Sequence, residues 1–190
     1  MSIESVSEFI TVAVAAIGIF TTIYSFYVIR RKISYSSKNA FSSVIKKSRN
    51  SLDIVGITLA NITESEEILK LIQDKINAGI RIRVILTEVD AAESWATSIG
   101  FPEYSIPNIK YRHEKTIRIF KQLGVECRTL GRIPPFTFIL SDFTLARKSN
   151  PSAISFASDL PSVKIDENTD LINEYKRVYE SLWKEAKTGL

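Results

Sequence analysis

The stretch that decides the fold is residues 52–86, LDIVGITLANITESEEILKLIQDKINAGIRIRVIL. It opens with residues 52–59, a run of strand length that is apolar on both faces, as interior parallel strands are. Thr63-Glu-Ser-Glu66 matches a capping box, in which the threonine accepts from a free amide while the second glutamate reaches back, and so predicts a helix start. Gly79 predicts the end of that helix, and residues 80–86 predict a second strand. The segment is therefore a βαβ unit, whose parallel strands require a right-handed crossover.

Elements on both sides extend this unit into an α/β domain with a mixed sheet and flanking helices. Apolar residues at helical spacing predict a helix within residues 37–50, upstream of the unit. Downstream, the same patterns predict helices at 91–99, 112–123 and 169–187, strands at 125–130 and 153–157, a loop at 101–107, and a hairpin of 136–140 with 144–146 turning at Ser141-Asp142.

Residues 9–29, FITVAVAAIGIFTTIYSFYVI, contain no charged residue. At about 1.5 Å per residue such a helix spans roughly the 30 Å hydrocarbon core of a bilayer, so the run predicts one transmembrane helix. A cleaved signal peptide is the first alternative, suggested by the Ala-x-Ala at Ala13–Ala15, but the preceding residues are acidic and the apolar run is too long. A buried core helix is the second alternative, although the run has no polar stripe.

The charges around this run predict its orientation. All 25 basic residues follow Ile29, whereas two of the 21 acidic residues precede it, so the remainder carries +6. Basic residues beside a span are retained in the cytoplasm. We therefore expect a single-pass protein of the cell membrane with residues 1–8 outside, residues 30–37 as a basic juxtamembrane link, and residues 38–190 as a cytoplasmic domain.

Two groups of residues predict how this protein associates. Small residues on one face of the membrane helix favour close helix packing, and hence a homo-oligomer; they are Thr11, Ala15, Gly18, Thr22 and Ser25. Basic residues near the membrane favour anionic lipids as a partner; they are Lys32, Lys38, Lys46, Lys47 and Arg49.

The composition excludes several kinds of site. A single cysteine excludes an internal disulfide framework or a cysteine-rich zinc module, and a single histidine excludes a monomeric site built on two imidazoles. The glycines are isolated, so no phosphate-binding loop is present. We expect no metal and no cofactor, and a net charge of +4 does not by itself indicate nucleic acid.

Over residues 38–187 the order of elements resembles a phospholipase D-like domain. The resemblance lies in the strand SLDIVGITL, the helix leading through NAGIRIRVIL, the hairpin FTFILSDFTLA and the terminal helix EYKRVYESLWKEA. It implies the fold of that family, and for single-motif members it implies two domains paired across a two-fold axis.

The same resemblance implies a catalytic motif of His-x-Lys, then Asp after four further residues, with a Gly-Ser-x-Asn beyond. The family's histidine attacks phosphorus, and its lysine stabilises the phosphoryl oxygens. When Asp142 is matched to the acid, Pro135 stands at the histidine position and Thr137 at the lysine position, while Ser149 and Asn150 stand where Gly-Ser-x-Asn would be. The resemblance therefore implies a degenerate motif with no catalytic residue.

Other side chains offer weaker candidates. His113 precedes the hairpin and reads as a solvated helix residue, with a lone functional base as the alternative. Cys127 reads as a buried structural thiol, although Arg128 beside it would favour the thiolate. Candidate anion-binding residues, with a solvated polar face as the alternative, are Arg81, Arg83, Arg112 and Lys115.

We expect a membrane-anchored, catalytically inactive phospholipase D-like domain that binds a phosphate-bearing ligand or a protein partner and acts as an oligomer. One alternative is a nucleotide-sensing membrane effector. The other is a membrane-tethered phosphodiesterase or nuclease, which would need a different nucleophile.

Overall fold

The computed structural model describes residues 33–36, 40–100, 106–149, 162–166 and 169–188. The chain divides into two compact units, Met1–Ser34 and Tyr35–Leu190. The predicted membrane segment at residues 9–29 and its small-residue face lie outside the described residues. Within the ranges given above, no helix is both long enough and apolar enough to cross a membrane.

Seven strands and six helices are described. In chain order they are β1 (Ile33–Ser36), α1 (Ala40–Lys47), β2 (Ser51–Gly56), α2 (Ala60–Thr63), α3 (Glu66–Asn77), β3 (Arg81–Thr87), α4 (Val89–Ser98), α5 (Ile106–Gln122), β4 (Glu126–Leu130), β5 (Phe136–Ser141), β6 (Thr144–Ser149), β7 (Ser162–Asp166) and α6 (Thr169–Glu185).

The sheet of the second unit is mixed, as expected. Strands β2 and β3 pair in parallel with Leu52 opposite Ile82, which confirms the βαβ unit, and β4 continues the parallel part beside β3. Strand β5 joins the other side of β2 in the antiparallel sense, and β6 and β7 follow antiparallel. These strands therefore lie in the order β7-β6-β5-β2-β3-β4.

The two faces of the sheet bury different helices. Successive side chains of a strand point to opposite faces, so Ile54 and Ile139, which are paired in register, share one face. That face packs in the main apolar core with α1 through Val44 and Ile45. On the other face lies Phe138, whose ring is 6.4 Å from that of Tyr179 in α6.

Several boundaries differ from the prediction. The capping box is wrong: the N-cap of α3 is Ser65, whose hydroxyl accepts from the Ile68 amide at 3.4 Å, while Thr63 ends α2. Helix α5 begins at Ile106, six residues early, because Pro107 sits in its first turn, where the missing N–H costs nothing. The predicted strand at 153–157 lies outside the described residues, and β7 was not predicted.

Glycines end two of the helices, and the stop at Gly79 was predicted. Gly79 follows α3 with φ +76°, and Gly124 follows α5 with φ +71°. This left-handed conformation carries no Cβ penalty in glycine, so both positions are efficient C-terminal stops.

Candidate functional site

The residues matched to the phospholipase D-like motif are distributed over two opposite ends of the sheet. We call the carboxyl edge the end formed by Gly56, Thr87 and Leu130, the last residues of β2, β3 and β4, together with the start of β5. We call the hairpin edge the opposite end, formed by the β5–β6 turn and the loop between α1 and β2. Ligands of open α/β sheets bind at the carboxyl ends of parallel strands, so the carboxyl edge is the candidate site.

The structure places three of the five motif positions at the carboxyl edge. Pro135 is exposed and directly precedes β5, Thr137 is half-buried in β5, and Ser149 ends β6 paired in register with Phe136. Asn150 lies outside the described residues. Asp142 is at the hairpin edge, and because β5 has six residues, about 20 Å of strand separates it from the others.

An apolar side chain occupies the space beside Thr137. Leu59 is 3% exposed and has φ +51°, a left-handed backbone that costs a non-glycine residue roughly 1–2 kcal/mol. A Cβ added at Gly56 would lie 2.2 Å from Leu59 Cδ2 and 3.3 Å from Thr137 Cγ2. The leucine therefore packs directly on Gly56, next to Thr137.

Asp142 has a structural role. Its carboxylate accepts hydrogen bonds from the amides of Asn50 at 2.7 Å and Arg49 at 3.1 Å, and from the hydroxyl of Ser51 at 3.3 Å. Burial alone would raise the pKa of Asp142, but these donors hold it below the ordinary value. Asp142 thus ties the β5–β6 turn to the loop before β2.

His113 is buried, so the expectation of a solvated histidine is wrong. It is 1% exposed, and its Nε2 contacts the carbonyl oxygen of Thr87. A carbonyl can only accept, so Nε2 carries the proton. Burial lowers the pKa of His113, which favours the neutral ring, and Nδ1 has no hydrogen-bond partner among the described residues. A buried ring committed to the main chain also argues against the lone-base alternative.

The burial of His113 follows from its place on α5. His113, Thr116 and Phe120 recur at intervals of three and four and are all buried. The Thr116 hydroxyl lies 2.9 Å from that of Thr63. Two of the three residues on this inner face are polar, and hydrophobic periodicity alone therefore could not reveal it.

Arg83 is committed to an ion pair inside the protein and is therefore a poor anion-binding residue. Its Nε donates to Asp53 Oδ1 at 2.9 Å, and its Nη2 donates to Asp53 Oδ2 at 3.1 Å and to Glu180 Oε1 at 2.6 Å. We call these three residues the ionic cluster. Burial opposes the charge of Arg83, but the two carboxylates raise its pKa above the ordinary value.

Aromatic rings of α6 complete the surroundings of the ionic cluster. The Arg83 guanidinium lies 4.7 Å from the ring centre of Tyr179 and 5.1 Å from that of Trp183. Sequence reasoning missed Asp53 and Glu180. A signal was present for Asp53, because a carboxylate inside an otherwise apolar strand needs a cationic neighbour, and Arg83 is its register partner.

The other anion-binding candidates lie apart from one another. Arg81 is exposed at the start of β3, opposite Ser51, near the hairpin edge. Arg112 is exposed on α5, where its Nε is 3.2 Å from Glu64, and Lys115 is half-buried on the same helix. Since His113 contacts Thr87 at the end of β3, the part of α5 that holds Arg112 and Lys115 lies near the carboxyl edge. Arg81 lies near the hairpin edge, so the four residues do not form one site.

Cys127 fits the structural interpretation. It is half-buried in β4, and burial raises the pKa of its thiol to about 12. The neutral thiol is a poor nucleophile. No group of three or more His, Cys, Asp or Glu side chains positioned for a metal ion occurs in the part of the chain that the structure describes.

Comparisons with known proteins reveal a likeness of fold. The sequence matches no protein-family profile, and no curated protein sequence matches it significantly. Nuc from Salmonella typhimurium, a phospholipase D family member, aligns with a TM-score of 0.54 and 15% identity, covering 83% of this chain and 96% of Nuc. NucT from Helicobacter pylori aligns with a TM-score of 0.51 and 16% identity, covering 83% of this chain and all of NucT, 100%.

A third similar structure is larger than this chain. TrmBL2, an archaeal chromatin protein with a novel mode of DNA binding, aligns with a TM-score of 0.53 and 15% identity over 98% of this chain. This chain spans 66% of the TrmBL2 chain. At such identities the likeness is one of fold, and it confirms that the α/β domain has a phospholipase D-like fold.

Proposed function

We propose that this protein is a catalytically inactive phospholipase D-like module that binds a phosphate-bearing ligand or a protein partner and acts as a membrane-anchored oligomer. The observation that carries the proposal is which residues occupy the carboxyl edge. Pro135 and Thr137 stand at the positions of the family's nucleophile and cation, and Leu59 packs on Gly56 beside Thr137.

The chemistry of those positions supports inactivity. A phosphohistidine intermediate needs an accessible imidazole, and its formation needs a positive charge on the phosphoryl oxygens. Proline and threonine supply neither. The one histidine of the sequence, His113, is buried in α5 and bonded to the main chain. Asp142 has a structural role, so its presence in the motif does not require catalysis.

The carboxyl edge still offers features for binding. It is the end at which open α/β sheets bind ligands. Lys148 is the register partner of Thr137. A basic residue therefore stands in the adjacent strand, directly opposite the position that is matched to the family's lysine. A phosphate group is therefore the ligand chemistry we favour, and the likeness to TrmBL2 makes DNA a specific phosphate polymer to include in the test.

The membrane and oligomer parts of the proposal rest on the sequence. The uncharged run at residues 9–29 would anchor the chain, and its small-residue face would bring copies together. Anchoring raises the effective concentration of the domains, which suits a fold whose single-motif relatives pair as dimers. Resistance to carbonate extraction tests the anchor, and crosslinking in native membranes tests the oligomer.

Inactivity is tested on the full chain purified in mild detergent. We expect no release of nitrophenol from bis-(p-nitrophenyl) phosphate above that of a His113→Gln variant prepared in parallel. Turnover that is lost in that variant, or a phosphorylated protein detected by mass spectrometry, would contradict the proposal and favour the membrane-tethered phosphodiesterase.

Binding is tested by the shift in thermal unfolding of the full chain. The probes are inorganic phosphate, cyclic and linear nucleotides, and duplex DNA. A ligand at a hundredfold excess over its dissociation constant stabilises the folded state by about 2.7 kcal/mol, and Lys148→Gln should abolish that shift. Stabilisation by one nucleotide class alone would favour a nucleotide-sensing effector. A lack of response to every probe would remove the phosphate-binding part of the proposal.

A further inference from the structure

The hairpin edge carries an exposed aromatic side chain in a fixed position. Phe143 lies in the β5–β6 turn and is 56% exposed. The residue before it, Asp142, accepts two hydrogen bonds from the loop between α1 and β2 and a third from Ser51 at the start of β2. The Ser141 hydroxyl also accepts from the Thr144 amide at 3.2 Å, across the turn. The turn is therefore held from both sides while Phe143 projects into solvent.

Positive charge surrounds this turn. The amide of Arg49 is bonded to Asp142, and Lys176 donates its Nζ to the Asp142 carbonyl at 3.3 Å. Lys47 pairs at 3.0 Å with Asp166, the register partner of Thr144. Lys75 donates to the carbonyls of Lys46 and Ser48, and Arg81 is the register partner of Ser51. These contacts place six cations at the hairpin edge: Lys46, Lys47, Arg49, Lys75, Arg81 and Lys176.

Among the described residues, fewer acidic groups act on these cations. They are Glu67 on Lys46, Asp166 on Lys47, Asp53 and Glu180 on Arg81, and Asp142, whose carboxylate is already occupied by main-chain amides. Asp53 and Glu180 are also shared with Arg83. Asp166 is shared further, because Lys164 lies 2.8 Å from its other oxygen. In the part of the chain that the structure describes, the cations of this edge therefore outnumber the acidic groups that act on them.

We propose that the hairpin edge docks on an anionic lipid surface, with Phe143 entering the headgroup layer and the surrounding cations contacting lipid phosphates and carboxylates. An exposed aromatic ring flanked by cations has the composition of an interfacial membrane contact, in which the ring is buried at the boundary and the charges select anionic lipid. The proposal rests on the proposed membrane anchor, which would keep this domain near a bilayer surface.

Fluorescence quenching of the full chain in lipid nanodiscs tests this contact. An environment-sensitive dye is attached at Phe143→Cys in a Cys127→Ser background, and the discs carry a lipid-borne quencher in phosphatidylcholine with or without phosphatidylserine. We expect the emission at position 143 to be at least about halved in discs that contain phosphatidylserine, and much less affected in phosphatidylcholine alone or at high salt.

A dye at Tyr111→Cys is the matched control. Tyr111 is 64% exposed but lies two residues before His113, which contacts Thr87 at the carboxyl edge, so its emission should not change. The double change Lys47→Glu and Arg49→Glu should restore the emission at position 143, whereas Arg118→Glu, an exposed site on α5, should not.

The outcomes separate this proposal from the anchor. Equal emission at positions 143 and 111 in phosphatidylserine discs overturns the docking surface even when the chain resists carbonate extraction. Equal quenching in both lipids also overturns it, because charge would then have no part in the contact. A chain that is extracted by carbonate, yet shows lipid-selective quenching at position 143, supports the docking surface and refutes the anchor.

Discussion

Replacing Arg83 by methionine should destabilise the protein more than other single changes on this face of the sheet. The side chains of Arg83 and Asp53 are 8% and 9% exposed, so the variant leaves a carboxylate buried without its cation. Removing one partner of such a pair costs about 3–5 kcal/mol of unfolding free energy. The contact with Glu180 adds little to this value, because that side chain is 49% exposed and its interaction is screened by water.

The measurement is equilibrium denaturation of the full chain in detergent. Trp183 reports the transition, because its ring stacks on Tyr179 at 5.7 Å and lies beside Arg83; Trp95 is replaced by phenylalanine to remove its signal. Glu180→Gln is the matched control and should cost about 1 kcal/mol or less. The double variant Asp53→Leu with Arg83→Met should recover most of the loss, because no buried charge then remains.

The pH dependence provides an internal check. Burial raises the pKa of Asp53, and Arg83 opposes that rise. Without the guanidinium the folded-state pKa rises further, so the deficit of Arg83→Met should shrink as the pH falls towards the ordinary carboxyl range, where Asp53 is protonated in both states. A loss below about 1 kcal/mol at neutral pH, or a double variant no more stable than Arg83→Met, would refute the reasoning.

Three further changes test other parts of the structure. Gly56→Ala should lower the free energy of unfolding by about 1–3 kcal/mol, because the new Cβ would lie 2.2 Å from Leu59 Cδ2. Equilibrium denaturation measures this loss, and the added change Leu59→Ala should relieve the clash. A Gly56→Ala variant as stable as the native chain would show that Leu59 is not packed there. Asp142→Asn should cost about 1–2 kcal/mol at pH 7. The amides of Asn50 and Arg49 keep the folded pKa of Asp142 low against the opposing effect of burial. The stability that Asp142 contributes is therefore present above the ordinary carboxyl pKa and is lost as the pH falls through the folded value. A stability difference between Asp142→Asn and the native chain that stays constant down to acidic pH would contradict the assigned role. Burial lowers the pKa of His113, so the free energy of unfolding of the native chain should fall by up to about 1.4 kcal/mol per pH unit below about pH 6.5. His113→Gln should remove this pH dependence. Identical pH dependence of the two proteins would argue that His113 does not titrate as described.

The architecture was predictable because its main signals are local. The βαβ unit, the hairpin and the terminal helix each combine an apolar period with a turn or stop residue, and the structure confirms all three. Thr63 misled because a matching sequence pattern cannot tell which hydroxyl is free to cap. Its oxygen bonds to Thr116, 53 residues away, and Ser65 takes the N-cap.

The site was predictable only in part, because its decisive contacts join distant segments. Matching Asp142 to the family's acid grouped it with Pro135 and Thr137; the structure places those two at the carboxyl edge and Asp142 at the hairpin edge. The packing of Leu59 on Gly56 depends on a positive φ, and the ionic cluster joins Asp53 and Arg83 to a helix almost a hundred residues later. Neither arrangement has a periodic pattern in the sequence, so the contact of Leu59 with Gly56 and the pairing of Asp53 with Arg83 were not predicted.

The left-handed leucine has a consequence for engineering. A lysine introduced at position 137 would meet the side chain of Leu59, which packs on Gly56 beside that position, while removing Leu59 would leave an apolar cavity there. Any redesign of the carboxyl edge therefore begins with a less stable protein. Changes that stabilise the sheet elsewhere would have to come before changes of the edge itself.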